Sequence, residues 1–162
     1  MLAMNSAFFI LAFCAGAAIA TQANINGQLA AGLGGNTIVA ALISFVIGTL
    51  ILASIAVARG GLLLALAAIP SQSLWKFAGG FLGAGFIFST TLLAPRIGLT
   101  NLLVLVIAGQ LFASITIDHF GLLNSVLRPV SLIKFCGALL LLAGVALTLF
   151  GDRLLGLFAR VS

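Results

Sequence analysis

Apolar residues in this chain come in five runs of membrane-crossing length, and glycine, proline or basic residues punctuate them. The first run begins near Met4, is purely apolar from Ala7 to Ala20, and turns polar through Gln28. The others cover 37–58, 74–94, 99–117 and 132–151, with a short amphipathic tail over 152–162. A spanning helix needs about 20 mainly apolar residues, whereas a membrane-barrel strand needs only about 9–11. The pattern therefore predicts an all-α polytopic membrane protein, with residues 1–162 forming a single transmembrane domain and its first span lying at about 4–28. The apolar stretch 62–69, ahead of Pro70, is too short to cross and reads as an interfacial segment or an extension of the second helix. Trp75 and Lys76 stand where a ring and a snorkelling amine anchor a helix at the headgroups.

Small residues recur at helix-packing intervals: Ala12, Gly16 and Ala20; Ala40, Ser44 and Gly48; Gly79 and Gly83; Gly137, Gly144 and Gly151. In lipid, where close packing replaces the hydrophobic drive between helices, such ladders let backbones approach.

Composition agrees with the pattern and narrows the chemistry. The chain is 63% hydrophobic and 6% charged, against about 25% charged in soluble domains. The formal charge of +5 is spread singly over the edges of apolar runs, so it forms no phosphate-binding stripe and excludes nucleic acid as a partner. One His and two Asp give no metal-ligand cluster, and the chain holds no nucleophile–base set and no nucleotide-binding glycine loop. The expectation is neither an enzyme nor a cofactor protein. Cys14 and Cys136 fall inside apolar runs and read as small buried packing residues. The uncharged start MLAMNSAFF lacks the basic region of a secretory signal peptide.

Five crossings place the termini on opposite sides. Arg59, Lys76, Arg128 and Lys134 then share the amino-terminal side, against Arg96, Arg153 and Arg160 on the other. So small a bias barely orients a chain. Two readings stay open: a single orientation chosen by that excess, or insertion both ways with antiparallel pairing. Inverted pairs are a common route to alternating access.

Candidate chemistry sits on polar groups inside apolar runs. Gln110, beside Gly109, lies near the middle of the fourth span, where an amide is costly unless it pairs or faces a cavity. On the first helix Gln22 and Asn26 share one face, and Asn24 and Gln28 share an adjacent one. Ser89, with Thr90 and Thr91, adds hydroxyls to the third span. Arg96, after Pro95, offers a fixed positive charge favouring anionic or zwitterionic cargo. Asp118 and His119 form the titratable pair suited to carrying a proton.

Several motifs carry a resemblance: Ala23-Asn24-Ile25-Asn26 with Gln28-Leu29, Ala41-Leu42-Ile43-Ser44-Phe45 with Gly48-Thr49, and Gly79-Gly80 through Gly83. To these add Leu93-Ala94-Pro95-Arg96-Ile97-Gly98, Ala108-Gly109-Gln110-Leu111, Asp118-His119-Phe120-Gly121-Leu122-Leu123 and Ala143-Gly144-Val145. Together they resemble the YdcZ family of the drug/metabolite transporter superfamily. The resemblance implies a half-transporter of the bacterial inner membrane, working as a dual-topology homodimer, as a heterodimer with a homologous half, or as part of a fused protein of double length. Its implied activity is secondary transport, as an exporter of a small polar metabolite or xenobiotic. The alternative is a non-transporting membrane subunit of assembly or regulatory type. The related small multidrug resistance proteins exchange protons for drugs through a membrane-embedded Glu, and this chain contains no Glu.

Overall fold

A computed structural model describes the backbone of residues 2–161 and the side chains of residues 6–153. Six α-helices account for most of it: α1 Leu2–Gly32, α2 Thr37–Arg59, α3 Leu62–Ala67, α4 Ala78–Ile97, α5 Leu99–Phe120 and α6 Leu132–Val161. Short 3₁₀ turns at Ile69–Ser71 and Leu74–Phe77 link α3 to α4, and another at Leu122–Asn124 follows α5. Among the described residues, five segments are long and apolar enough to cross a membrane: Ser6–Gly32, Thr37–Arg59, Leu74–Ile97, Leu99–Phe120 and Leu132–Arg153. At 1.5 Å per residue the 31 residues of α1 run about 46 Å, well beyond a hydrocarbon core of about 30 Å.

Local chemistry explains the helix ends. After α1 the chain turns at Gly34, whose φ of 67° is cheap for glycine, and Gly35 N–H donates to the Ala30 carbonyl at 2.8 Å. Asn36 then caps α2 by accepting from Val39 N–H at 3.1 Å. The stretch after α2 is not an extension of that helix. Gly60 and Gly61 take φ of 76° and 79°, which breaks the helix and starts α3 as a separate element.

The third span also ends later than its proline suggests. Pro95 and Arg96 lie inside α4, which stops at Gly98 with φ 82° and ψ 146°. Hydrocarbon keeps a backbone helical even where one donor is lost, and neighbouring helices and side chains compensate. The backbone after residue 151 likewise continues α6 as helix, while the side chains of the expected tail beyond Arg153, Arg160 among them, lie outside the described residues.

Two compact units emerge from the contacts: Met1–Leu99 and Thr100–Ser162. In the first, α1, α2 and α4 pack against one another. Its core is made largely of alanines: Ala23 and Ala30 from α1, Ala40 and Ala41 from α2, and Ala94 from α4. Such small side chains bring helix backbones close, the packing that lipid favours. Of the glycine ladders, a Cβ added at Gly83 would meet Phe45 at 3.8 Å, whereas one added at Gly16, Gly48 or Gly79 would meet nothing within 4 Å. Large apolar side chains point outward instead, Ile133 being 85% exposed and Phe81 83%. Lipid covers such a surface without penalty.

The second unit is sparser. After α5 the chain takes left-handed conformations at Gly121, Leu123 and Asn124, with φ of 61°, 56° and 64°. It then folds back on the helix end: Arg128 N–H donates to the Asp118 carbonyl at 2.8 Å, and Val130 N–H donates to His119 Nδ1 at 3.2 Å.

Candidate functional site

The amide-rich end of α1 resolves into the two faces its spacing predicts. Asn24 and Gln28 stay exposed and pair with each other, Gln28 Nε2 donating to Asn24 Oδ1 at 3.4 Å. On the other face, Gln22 Nε2 donates to Ser44 Oγ of α2 at 3.4 Å. That bond closes one wall of a cleft of about 200 Å³ lined by Gln22, Ser44, Gly48, Thr49 and Ile87. With nothing within 4 Å of where its Cβ would be, Gly48 leaves open space there. Ser44 and Gly48, read from spacing as a packing ladder, line this cleft.

One helical turn along, Asn26 is 3% exposed and its Nδ2 has no hydrogen-bond partner. Thr91 of α4 is 0% exposed and its Oγ1 is likewise unpartnered. Its neighbour Thr90 is satisfied locally, donating to the Ile87 carbonyl at 3.1 Å. Pro95 deepens the polarity at Thr91, because a proline has no N–H to give the carbonyl four residues earlier. The same ring packs close to α1, with Pro95 Cδ 3.9 Å from where a Cβ on Gly27 would lie. Two buried groups with unused hydrogen-bonding capacity thus belong to the core of the three-helix unit.

None of the remaining candidates is among the residues that line the Gln22–Ser44 cleft. Ser89 is exposed, so the buried hydroxyls of its cluster belong to Thr90 and Thr91. Arg96 is exposed in the last turn of α4. Gln110 and Gly109 are exposed on α5, a Cβ at Gly109 would meet nothing within 4 Å, and the Gln110 side chain makes no hydrogen bond among the described residues. Asp118 is half-buried and His119 exposed, the latter stacked edge-on against Phe120 at 4.8 Å. Spacing alone missed Ser44 and Thr49, and it did not single out Thr91 within its hydroxyl cluster. The signal available for them was their place on the helix faces opposite Gln22 and Asn26. Among the described residues no group of His, Cys, Asp or Glu is arranged to hold a metal ion; Cys14 and Cys136 are free and exposed on the outer faces of their helices, which corrects their reading as buried packing residues.

No curated protein and no solved structure matches the chain at a significant level. A family model described as "Putative inner membrane exporter, YdcZ" matches residues 7–147, nearly the whole of the five-helix arrangement. On that match the chain is a multi-pass transport protein of the inner membrane and belongs to the YdcZ family.

Proposed function

We propose that this chain is half of a secondary transporter that exports a small polar metabolite or xenobiotic by alternating access, paired antiparallel with a second copy or a homologous half. The observation that carries this reading is the unpartnered pair, Asn26 Nδ2 and Thr91 Oγ1, inside the first unit. A buried polar group left unsatisfied costs about 1–3 kcal/mol. Holding two of them, one turn from the Gln22–Ser44 cleft, keeps hydrogen-bonding capacity ready for a polar solute. Gln22 and Ser44 receive cargo at the cleft, and Asn26 and Thr91 engage it when the helices part.

Gln110 and Gly109 complete the path from the facing half. An exposed amide at mid-span is costly against lipid and useful against a partner. Arg96, exposed in the last turn of α4, selects for anionic or zwitterionic cargo, and Ser89 adds a hydroxyl two turns earlier on the same helix. Asp118 and His119 carry the coupling proton.

Reconstitution in liposomes with a panel of small polar solutes tests the proposal. Wild type should move at least one solute, and Gln22→Leu and Asn26→Leu should fold and pair normally yet move it at least tenfold more slowly. Equal transport per folded molecule in all three would overturn the site. If neither the chain alone nor the chain with a homologous half moves any solute, the reading as a transporting protein fails in favour of an assembly or regulatory subunit.

A further inference from the structure

The second unit carries a cleft to which the export reading assigns no ligand, although Asp118, its proton carrier, lines it. It has a volume of about 300 Å³ between α5 and α6, and its lining includes Leu111, Ser114, Asp118, Arg128, Lys134 and Gly137. Its two ends differ. Asp118 in the last turn of α5, Arg128 in the link and Lys134 in the first turn of α6 bring three charges to the mouth. Leu111 lies two turns below, about 10 Å along the helix at 1.5 Å per residue. Beside it Gly137 leaves open space, since a Cβ there would meet nothing within 4 Å.

The charges face one cavity, yet among the described residues Asp118 forms no ion pair within 4 Å. The fold holds their backbones in place. Arg128 N–H is bonded to the Asp118 carbonyl at 2.8 Å, and Ser131 Oγ accepts from Lys134 N–H at 3.3 Å to cap α6. Helix dipoles sharpen the contrast. Asp118 sits at the negative end of α5, while Arg128 and Lys134 flank the positive end of α6. The mouth therefore has an anionic pole and a cationic pole. A simple anion would meet Asp118, and a simple cation would meet Arg128 and Lys134. A molecule bearing both charges satisfies the two poles together.

We propose that this cleft binds an ammonium phosphoester zwitterion, and that its source is the headgroup of a phosphatidylethanolamine in the surrounding leaflet. Arg128, Lys134 and the α6 amino terminus hold the phosphate. Asp118 accepts hydrogen bonds from the primary ammonium, and Ser114, four residues earlier on the same face of α5, adds a hydroxyl. At roughly 30 Å³ per water-sized group, the cleft holds on the order of ten such groups, enough for the about eight non-hydrogen atoms of the headgroup. The apolar lower end takes the first part of an acyl chain. Phosphatidylcholine offers the same phosphate but no ammonium N–H, so Asp118 discriminates against it.

Native mass spectrometry of the full chain in detergent, titrated with chain-matched phosphatidylethanolamine and phosphatidylcholine, tests the site. Wild type should bind the ethanolamine lipid at least tenfold more tightly. Asp118→Asn should bring that ratio to about threefold or less, and the double variant Arg128→Gln with Lys134→Gln should weaken both lipids. Protection of the Lys134 amine from acetylation by phosphatidylethanolamine, but not by phosphatidylcholine, gives a second measurement on unaltered protein. Displacement of bound lipid by free phosphoethanolamine would assign the site to a soluble zwitterion, and failure to displace it keeps the assignment to the lipid. Equal binding of the two lipids by wild type, or an unchanged ratio in Asp118→Asn, overturns the proposal.

Discussion

Thr91→Val separates a functional hydroxyl from a packing one. Valine keeps the shape of threonine and removes an oxygen that is 0% exposed and has no partner. A buried unsatisfied hydroxyl costs about 1–3 kcal/mol, and a methyl group in the same space carries no such cost. The variant should therefore be more stable by about 1 kcal/mol or more. For a chain of this size, 1 kcal/mol corresponds to a Tm rise of about 2–4 °C, readable by thermal unfolding in detergent. Transport per folded molecule should fall at the same time, as happens when stability is gained at a site kept unsatisfied for function. A lower Tm would refute the reasoning, because the hydroxyl would then already have been bonded in the resting protein. A higher Tm with full transport would remove Thr91 from the cargo path while leaving the stability argument intact.

Three further outcomes follow from the backbone and charge pattern. Gly98→Ala places a side chain at φ 82°, ψ 146°, a region open to little but glycine, and should cost about 1–3 kcal/mol in thermal stability. His119→Phe removes the acceptor for Val130 N–H; amide exchange across the link between α5 and α6 should then speed up about fivefold, the equivalent of about 1 kcal/mol, and unchanged protection would show that the bond does not hold the loop. Adding two lysines after Ser162 should drive the carboxyl terminus inside, while adding two near Met4 should drive the amino terminus inside. Topology reporters showing one fixed orientation in wild type, unmoved by either edit, would exclude dual insertion.

The membrane-spanning elements were legible because lipid imposes length and apolarity on every crossing, and these appear directly as runs of residues. Helix ends were less legible where two signals competed. Pro95 argues for a stop, but the lipid demand for internal hydrogen bonding carries α4 on to Gly98. The glycines at 60 and 61 could be read from sequence as a helix end, but not as the turn that starts α3.

Within the site, the period of 3.6 residues separated Gln22 and Asn26 from Asn24 and Gln28, and the structure buries Asn26 while pairing the other two. Spacing could not tell which side of α2 faces α1, so Ser44 read as a packing residue. Gln110 shows the opposite gap: depth in the span is visible in sequence, whereas the direction an amide faces depends on what packs beside it.

The described polar groups of the Gln22–Ser44 cleft and of the Asn26–Thr91 core include no ionisable side chain. Moving one elementary charge through the membrane field is worth about 2.3 kcal/mol per 100 mV. A zwitterionic solute of zero net charge handled by these amides and hydroxyls crosses without that contribution, so the membrane voltage neither drives nor opposes it in this unit. Its passage generates no current of its own, and an electrode on a supported membrane would register only what a coupled ion carries elsewhere in the assembly.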